Sequence, residues 1–286
     1  MVREDPRRRE GRVSTRITTV SASAGPSVRS LLAELWAYRG LVWAFSARDL
    51  KVKYFQTIFG PLWVVLTPLI TVGVMTFVFG LMIKVPSDDL PYLVFYLVAI
   101  VPWLAFIAVF SQTMTSLEAH GSLLSKIYFP RLVIGASYAV NGTIDFLVGF
   151  AAAVAAAAAY GILTVQFVLA MPVLLAIQMA WALGLGFLLA PWNAQYRDVK
   201  HVIPLVIQLY YFASPILYSV SVAPSWMKWM YAVNPLAVVV TAYRSLLNGH
   251  PLDWPALAWA LVASFAVLAW GAVAFMRREQ EMVDVL

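Results

Sequence analysis

The stretch YLVFYLVAIVPWLAFIAVFSQTM, residues 92–114, holds no charged side chain in 23 positions. A soluble helix keeps one polar face, and this segment has none. About 20 such residues carry a helix across the hydrocarbon of a bilayer. The same texture recurs on both sides. It fills 62–83 upstream and 132–160, 166–190, 202–220 and 255–276 downstream, with Asp145 the only charged residue in all six stretches. The expected fold is all-α: a polytopic membrane protein with six transmembrane helices.

Composition agrees. Hydrophobic residues make up 62% of the 286 and charged residues 12%, with a mean hydropathy of +0.80. A soluble domain carries about twice that charged share. Cysteine is absent, so no disulfide framework and no thiolate ligand or nucleophile is available. The pI near 9.5 does not point to nucleic acid, because the basic residues follow topology. Of 20 Lys and Arg, 17 lie in residues 1–56, at Lys126 and Arg131, at Arg197 and Lys200, and at Arg277 and Arg278. Six spans put all of these on one side, opposite Lys84, Lys228 and Arg244. The positive-inside rule then places both termini in the cytoplasm. The first span starts near residue 62, too far along for a cleaved signal peptide.

Four segments follow. Residues 1–30, rich in Arg, Ser and Thr, read as a disordered cytoplasmic tail suited to anionic headgroups. Residues 31–56 hold Leu31, Leu35, Tyr38, Val42 and Phe45 at steps of four and three, on one helical face. Trp36 and Trp43 flank that stripe, which suits an amphipathic helix lying in the membrane interface; the other reading is an ordinary packing helix. Residues 57–276 form the six-span domain, and 277–286 a cytoplasmic tail. Between spans five and six, residues 221–254 are too apolar for a plain loop. Trp226, Met227, Trp229, Met230 and Tyr231 and breaks at Pro224 and Asn234-Pro235 predict a re-entrant external segment. Irregular backbone at that depth must be buried in protein or line a cavity, which hints at a pore mouth; an interfacial cap is the alternative.

Catalytic chemistry is sparse. A P-loop needs Lys followed by Ser or Thr after a glycine-rich stretch, and none of the six lysines is so followed. His120, His201 and His250 are scattered, with no zinc spacing. Asp145 is a functional candidate as an intramembrane acid, yet Asn141, Thr143 and Asp145 equally form a structural polar cluster or contact a neighbouring helix. Tyr210-Tyr211-Phe212 sits mid-span, where aromatic faces can stack on sugar rings or simply pack helices together.

Five blocks in register then point to a class. Arg48-Asp49-Leu50-Lys51-Val52-Lys53-Tyr54, followed by Gln56-Thr57-Ile58-Phe59-Gly60-Pro61-Leu62-Trp63, resembles the entry to the first span of polysaccharide-export ABC transporter permeases. Leu124-Ser125-Lys126-Ile127-Tyr128-Phe129-Pro130-Arg131 resembles their connection between spans two and three. Tyr196-Arg197-Asp198-Val199, Ser214-Pro215-Ile216-Leu217-Tyr218 and Asn234-Pro235-Leu236 complete the series, in that family's order and spacing. Pro191-Trp192-Asn193-Ala194 and the long basic tail depart from its pattern.

The resemblance implies a permease for a lipid-linked polysaccharide of O-antigen, capsular or teichoic acid type. It implies a homodimer paired with two copies of a separate nucleotide-binding ATPase, which binds the ATP, so this chain needs no cofactor. The interfacial helix and residues 116–127 would then contact the ATPase, making Glu118, Leu123, Lys126, Arg131 and Arg48 the coupling candidates. Tyr210, Tyr211, Phe212 and Trp63 are the candidates for the substrate pathway. The competing class is a membrane-embedded enzyme moving sugars on polyprenyl phosphates. It needs acidic or basic clusters at the membrane surface, and Asp88-Asp89 is a thin one. A secondary transporter is the third reading, and it calls for inverted repeats and several intramembrane polar groups.

Overall fold

The structure, a computed structural model, describes residues 28–55, 57–119 and 130–282. The readings of 1–27, of 120–129 and of the last four residues therefore fall outside the described residues. Within them the chain is helical, as hydrocarbon requires: backbone groups without water must bond inside their own segment. In order come α1 (Val28–Ala37), α2 (Arg39–Phe55), α3 (Trp63–Met75, extended by the π-helical turn Thr76–Met82), α4 (Tyr92–Met114) and α5 (Ser116–Ala119). They are followed by α6 (Leu132–Ala159), α7 (Val165–Gln195), α8 (Val199–Ala213), α9 (Ser225–Val233), α10 (Pro235–Leu247) and α11 (Trp254–Met282). Five helices are long and apolar enough to cross a membrane, six if the bent pair α9–α10 counts as one span.

The charge-free stretch that opens the sequence argument is the hub. α4 packs against α3, α6, α7 and α10, and most of its residues are buried, from Val94 to Met114. Glycine sets how closely its neighbours approach. On α6, Gly135, Gly142 and Gly149 recur every seventh residue, and a Cβ there would overlap Phe187, Val109 and Val101 respectively. α7 and α11 cross where Gly184 meets Gly271 backbone to backbone. Small residues at crossings let helices make close van der Waals contact in lipid, where no hydrophobic effect drives them together.

The fifth apolar stretch differs from its prediction. The expected span 202–220 is helical only as α8, whose 15 residues reach about 22 Å at 1.5 Å each, short of the roughly 30 Å hydrocarbon core. Pro215 explains the stop, since it disfavours helical backbone in the preceding residue; Ser214 is extended at φ −97°, ψ 144°. Downstream, the helix breaks fall at Pro224 and Asn234, where the sequence puts them. α9 and α10 meet at 95°. The Asn234 side chain caps α10, its Oδ1 accepting from the backbone N–H of Leu236 and Ala237 at 3.0 and 3.3 Å. Asn234 is tied to Tyr210, which in turn bonds Trp181 halfway along α7. Asn248, beyond the other end of α10, donates to the Asp88 carbonyl at 2.8 Å. The segment thus dips inward at Asn234 and returns to the loop between α3 and α4.

Leaving a helix inside the bundle strands carbonyl groups, and Arg244 of α10 collects them. Arg244 is 5% exposed. It donates to the carbonyls of Pro215 at 2.6 Å, Ile216 at 3.0 Å, Tyr218 at 3.2 Å and Phe95 at 3.4 Å. It also lies over the Phe95 ring, 3.5 Å from its centroid. Read from sequence, Arg244 was only a marker of the side opposite the basic end. In the fold it is the clamp on the turn after α8.

That role predicts a large loss of stability for Arg244→Ala, since each charge-assisted bond contributes about 1.5–3 kcal/mol. Arg244→Lys is expected to restore only part of it, because an ammonium lacks the planar fork that spans several carbonyls. Thermal unfolding of the detergent-solubilised protein checks this; equal midpoints for all three proteins would contradict it.

Candidate functional site

Three groups of candidate residues lie in three places. The first is at the basic end, where Arg131, Arg197, Lys200 and Arg278 gather at helix ends. Here α5 is planted by Leu117, buried with Leu132, Phe187, Ala190, Ala272 and Phe275. Glu118 stays half-exposed and forms an ion pair with Lys200 of α8, Nζ to Oε2 2.9 Å. Leu123 and Lys126 lie outside the described residues. Arg131 immediately precedes α6. Arg48 lies on α2, bonded to Asp49 at 2.9 Å and stacked on Phe45. The structure therefore joins Glu118 to a partner that the coupling candidates omitted.

The second place is deeper. The stripe Leu35, Val42 and Phe45, with Leu41, packs on Val133, Ile134 and Tyr138 of α6, while Trp36 and Trp43 are exposed. These stripe residues are thus covered by α6, while Tyr38 is 37% exposed and the tryptophans are the outward face. α2 also does not cross α6 but follows it. Ser46 Oγ donates to the Ser137 carbonyl at 3.1 Å, and Tyr54 donates to Asp145 Oδ1 at 2.6 Å, both 91 residues apart. A constant separation means two parallel helices in register.

At the inner end of α2, Lys53 Nζ lies 2.5 Å from Asp145 Oδ2. Asp145, the acid within the span, thus has a cation and a phenol on it. Burial, then the hydrogen bond and charge of Asp145, push the Tyr54 phenol well above its usual range, so it stays a neutral donor. Charge thus enters the span neutralised, as burial in hydrocarbon demands. Above this anchor, Trp63, Val64, Thr67 and Pro68 of α3 face α4 and α6 across a cavity of about 300 Å³.

The third place is the aromatic run on α8. Tyr210 and Tyr211 point at α4, where Trp103 lies 6.0 and 5.0 Å from their ring centroids. The Tyr210 hydroxyl accepts from Trp181 at 3.1 Å and donates to Asn234 at 2.5 Å. Phe212 alone is exposed, on a face with Val202, Leu205, Val206 and Leu209. Trp63 and Tyr210 do not meet. The Trp63 cavity uses Val101, Leu104, Ala105 and Ala108 of α4, while Tyr210 uses Trp103 and Phe106, and helical spacing puts these on opposite faces.

Asp88, the thin surface site weighed for an enzyme, is occupied structurally. Its carboxylate accepts from Ser219 and, at 2.6 Å, from Ser221, tying the α3–α4 loop to the turn after α8. No group of three or more His, Asp or Glu that could hold a metal occurs among the described residues.

A multi-pass helical membrane protein whose polar groups tie helix to helix is the class this fold defines. Residues 40–248 match the family model of ABC-2 type transporters, and the chain belongs to that family. It is similar to the O-antigen export system permease protein RfbA of Myxococcus xanthus, 29% identical over 257 residues, 89% of this chain and 98% of that protein. RfbA of Klebsiella pneumoniae is 25% identical over 240 residues, 84% and 92% of the two chains. The polysialic acid transport protein KpsM of Escherichia coli is 22% identical over 256 residues, 84% and 94%.

The Lys53–Asp145 anchor makes a prediction of order. Asp145 is 17% exposed and Lys53 46%. Losing either partner leaves a charge at span depth uncompensated, most costly for the buried carboxylate, whereas replacing both with apolar groups costs little. Lys53→Met and Asp145→Leu are each expected to destabilise the protein more than the double substitution does. Thermal unfolding, with proteolytic cleavage of α2 as a second readout, gives the cycle; a double variant worse than either single would refute it.

Proposed function

We propose that this chain is the membrane-spanning subunit of an ABC exporter for a lipid-linked polysaccharide. Two copies work with two copies of a separate ATPase in the bacterial cytoplasmic membrane, with both termini in the cytoplasm. The observation that carries this reading is similarity over 89% of the chain to an O-antigen export permease, spanning the coupling and pathway candidates alike. The relatives' names give O-antigen and polysialic acid as their glycans; the capsular and teichoic acid types come from the resemblance in sequence. The 17 basic residues grouped on one side support the orientation.

The geometry supports the division of labour. Trp63 and Phe212 lie on different sides of α4, so one chain closes no pathway containing both. The outward face of α3, with Leu69, Ile70, Val74, Phe77 and Leu81, and that of α8 are both apolar and exposed. A second copy gives these faces a partner and brings pathway aromatics together between chains. ATP is bound and hydrolysed by the partner subunit, and this chain moves in response. Tyr210 and Tyr211, turned toward α4, serve the bundle, which leaves Trp63 and Phe212 as the residues for a sliding glycan. Stacking tolerates rotation and differing sugars.

Two outcomes test this reading. Purified alone, the chain is expected to hydrolyse no ATP, and with its cognate ATPase to form a complex with two copies of each; hydrolysis by the chain alone overturns the assignment. In this cysteine-free chain, Phe212→Cys is expected to react with a water-soluble thiol reagent when the ATPase binds nucleotide, and Phe212→Ala to slow export. No labelling in any nucleotide state, with normal export by the alanine variant, removes Phe212 from the pathway.

A further inference from the structure

α8 is held differently from the other long helices. It buries no residue completely and leans on the core through Ile203, Ile207, Tyr210 and Tyr211 only. Its specific contacts sit at its two ends. Near the start, Lys200 pairs with Glu118. At the finish, Ser214 Oγ donates to the Tyr210 carbonyl at 2.9 Å, Asn234 Nδ2 donates to Ser214 Oγ at 3.0 Å, and Tyr210 donates to Asn234. Between the two sets the helix continues through Pro204, roughly 20 Å from Lys200 to Ser214, although Pro204 lacks the N–H that would bond the Lys200 carbonyl. Side-chain exposures of 49% for Lys200 and 32% for Glu118 make the pair a weak source of stability. Its value is positional: it fixes the least buried helix to the most firmly planted short one, α5.

We propose that Lys200 is a positioning residue for export. Its ion pair with Glu118 makes α8 follow any displacement of α5. Through Tyr210 and Ser214 that movement reaches Asn234, where α9 and α10 bend. A lightly packed helix pinned at both ends moves as a rigid body, the ordinary unit of such transitions. The ATPase side and the inward-dipping segment are thereby joined by one rod. This inference rests on the function proposed above.

The test uses the full chain with its cognate ATPase, reconstituted in vesicles, and reads glycan moved per ATP hydrolysed. Glu118→Lys and Lys200→Glu are each expected to lower that ratio about fivefold, the low end of ordinary coupling between sites. The double exchange is expected to recover most of it, and Lys200→Arg to keep it. A Lys200→Glu ratio equal to wild type, or a double exchange no better than the worse single, overturns the proposal. If charge reversal releases the ATPase, Lys200→Gln takes its place and the same comparison with wild type decides. A readout without glycan is thiol labelling at Phe212→Cys, whose response to ATP is expected to vanish with Lys200→Glu; an unchanged response counts against the link. A wild-type complex that moves no glycan at all defeats the proposed function instead.

Discussion

Hydrocarbon offers no hydrogen bonds, so a chain that leaves the helix inside it must bring its own donors. This protein does so at Pro215–Tyr218, and Arg244 supplies them. Four carbonyls converge on one guanidinium, one of them from α4. Because of that clamp α8 can end early, α9 and α10 can dip inward, and the loop at Asp88 has a turn to bind. A bundle of unbroken spans would need none of this.

The remaining polar groups perform a similar service between helices. Lys53 and Tyr54 neutralise and satisfy Asp145. Asn234 caps one helix while holding another. Glu118 and Lys200 join two helix ends. Apolar contacts and the glycine crossings of α6, α7 and α11 set the distances, and these few polar bonds set which helix goes where. Contacts of this kind are expected where the solvent discriminates weakly between one apolar face and another.

Much of the fold was legible because lipid imposes long charge-free runs. Residues 92–114 and 132–159 emerge with the boundaries that their composition draws, give or take a residue. The breaks at Pro224 and Asn234 were legible too, through the backbone limits of proline. The short α8 was less so: hydropathy continues past Ser214, and only Pro215 signals the stop. Pairings across the chain were not legible at all. Nothing near Asp145 in sequence names Lys53, and nothing near Glu118 names Lys200. Arg244 left a faint trace, a lone cation amid Pro235–Leu247, which topology counting absorbed. Aromatic direction was equally hidden, since Tyr210 and Phe212 differ only in the face on which they fall.

The parallel course of α2 and α6 also sets an order of assembly. The bonds Ser46–Ser137 and Tyr54–Asp145 each join residues 91 apart, so α2 leaves the ribosome well before its partner exists. At roughly 5–20 residues per second the delay is on the order of ten seconds. During that interval Lys53 has no Asp145, and a cation has no reason to leave the headgroup layer. The N-terminal helix must therefore wait at the surface while α3 and α4 insert. It can swing down along α6 only once that helix arrives, so the first helices made are among the last to be seated.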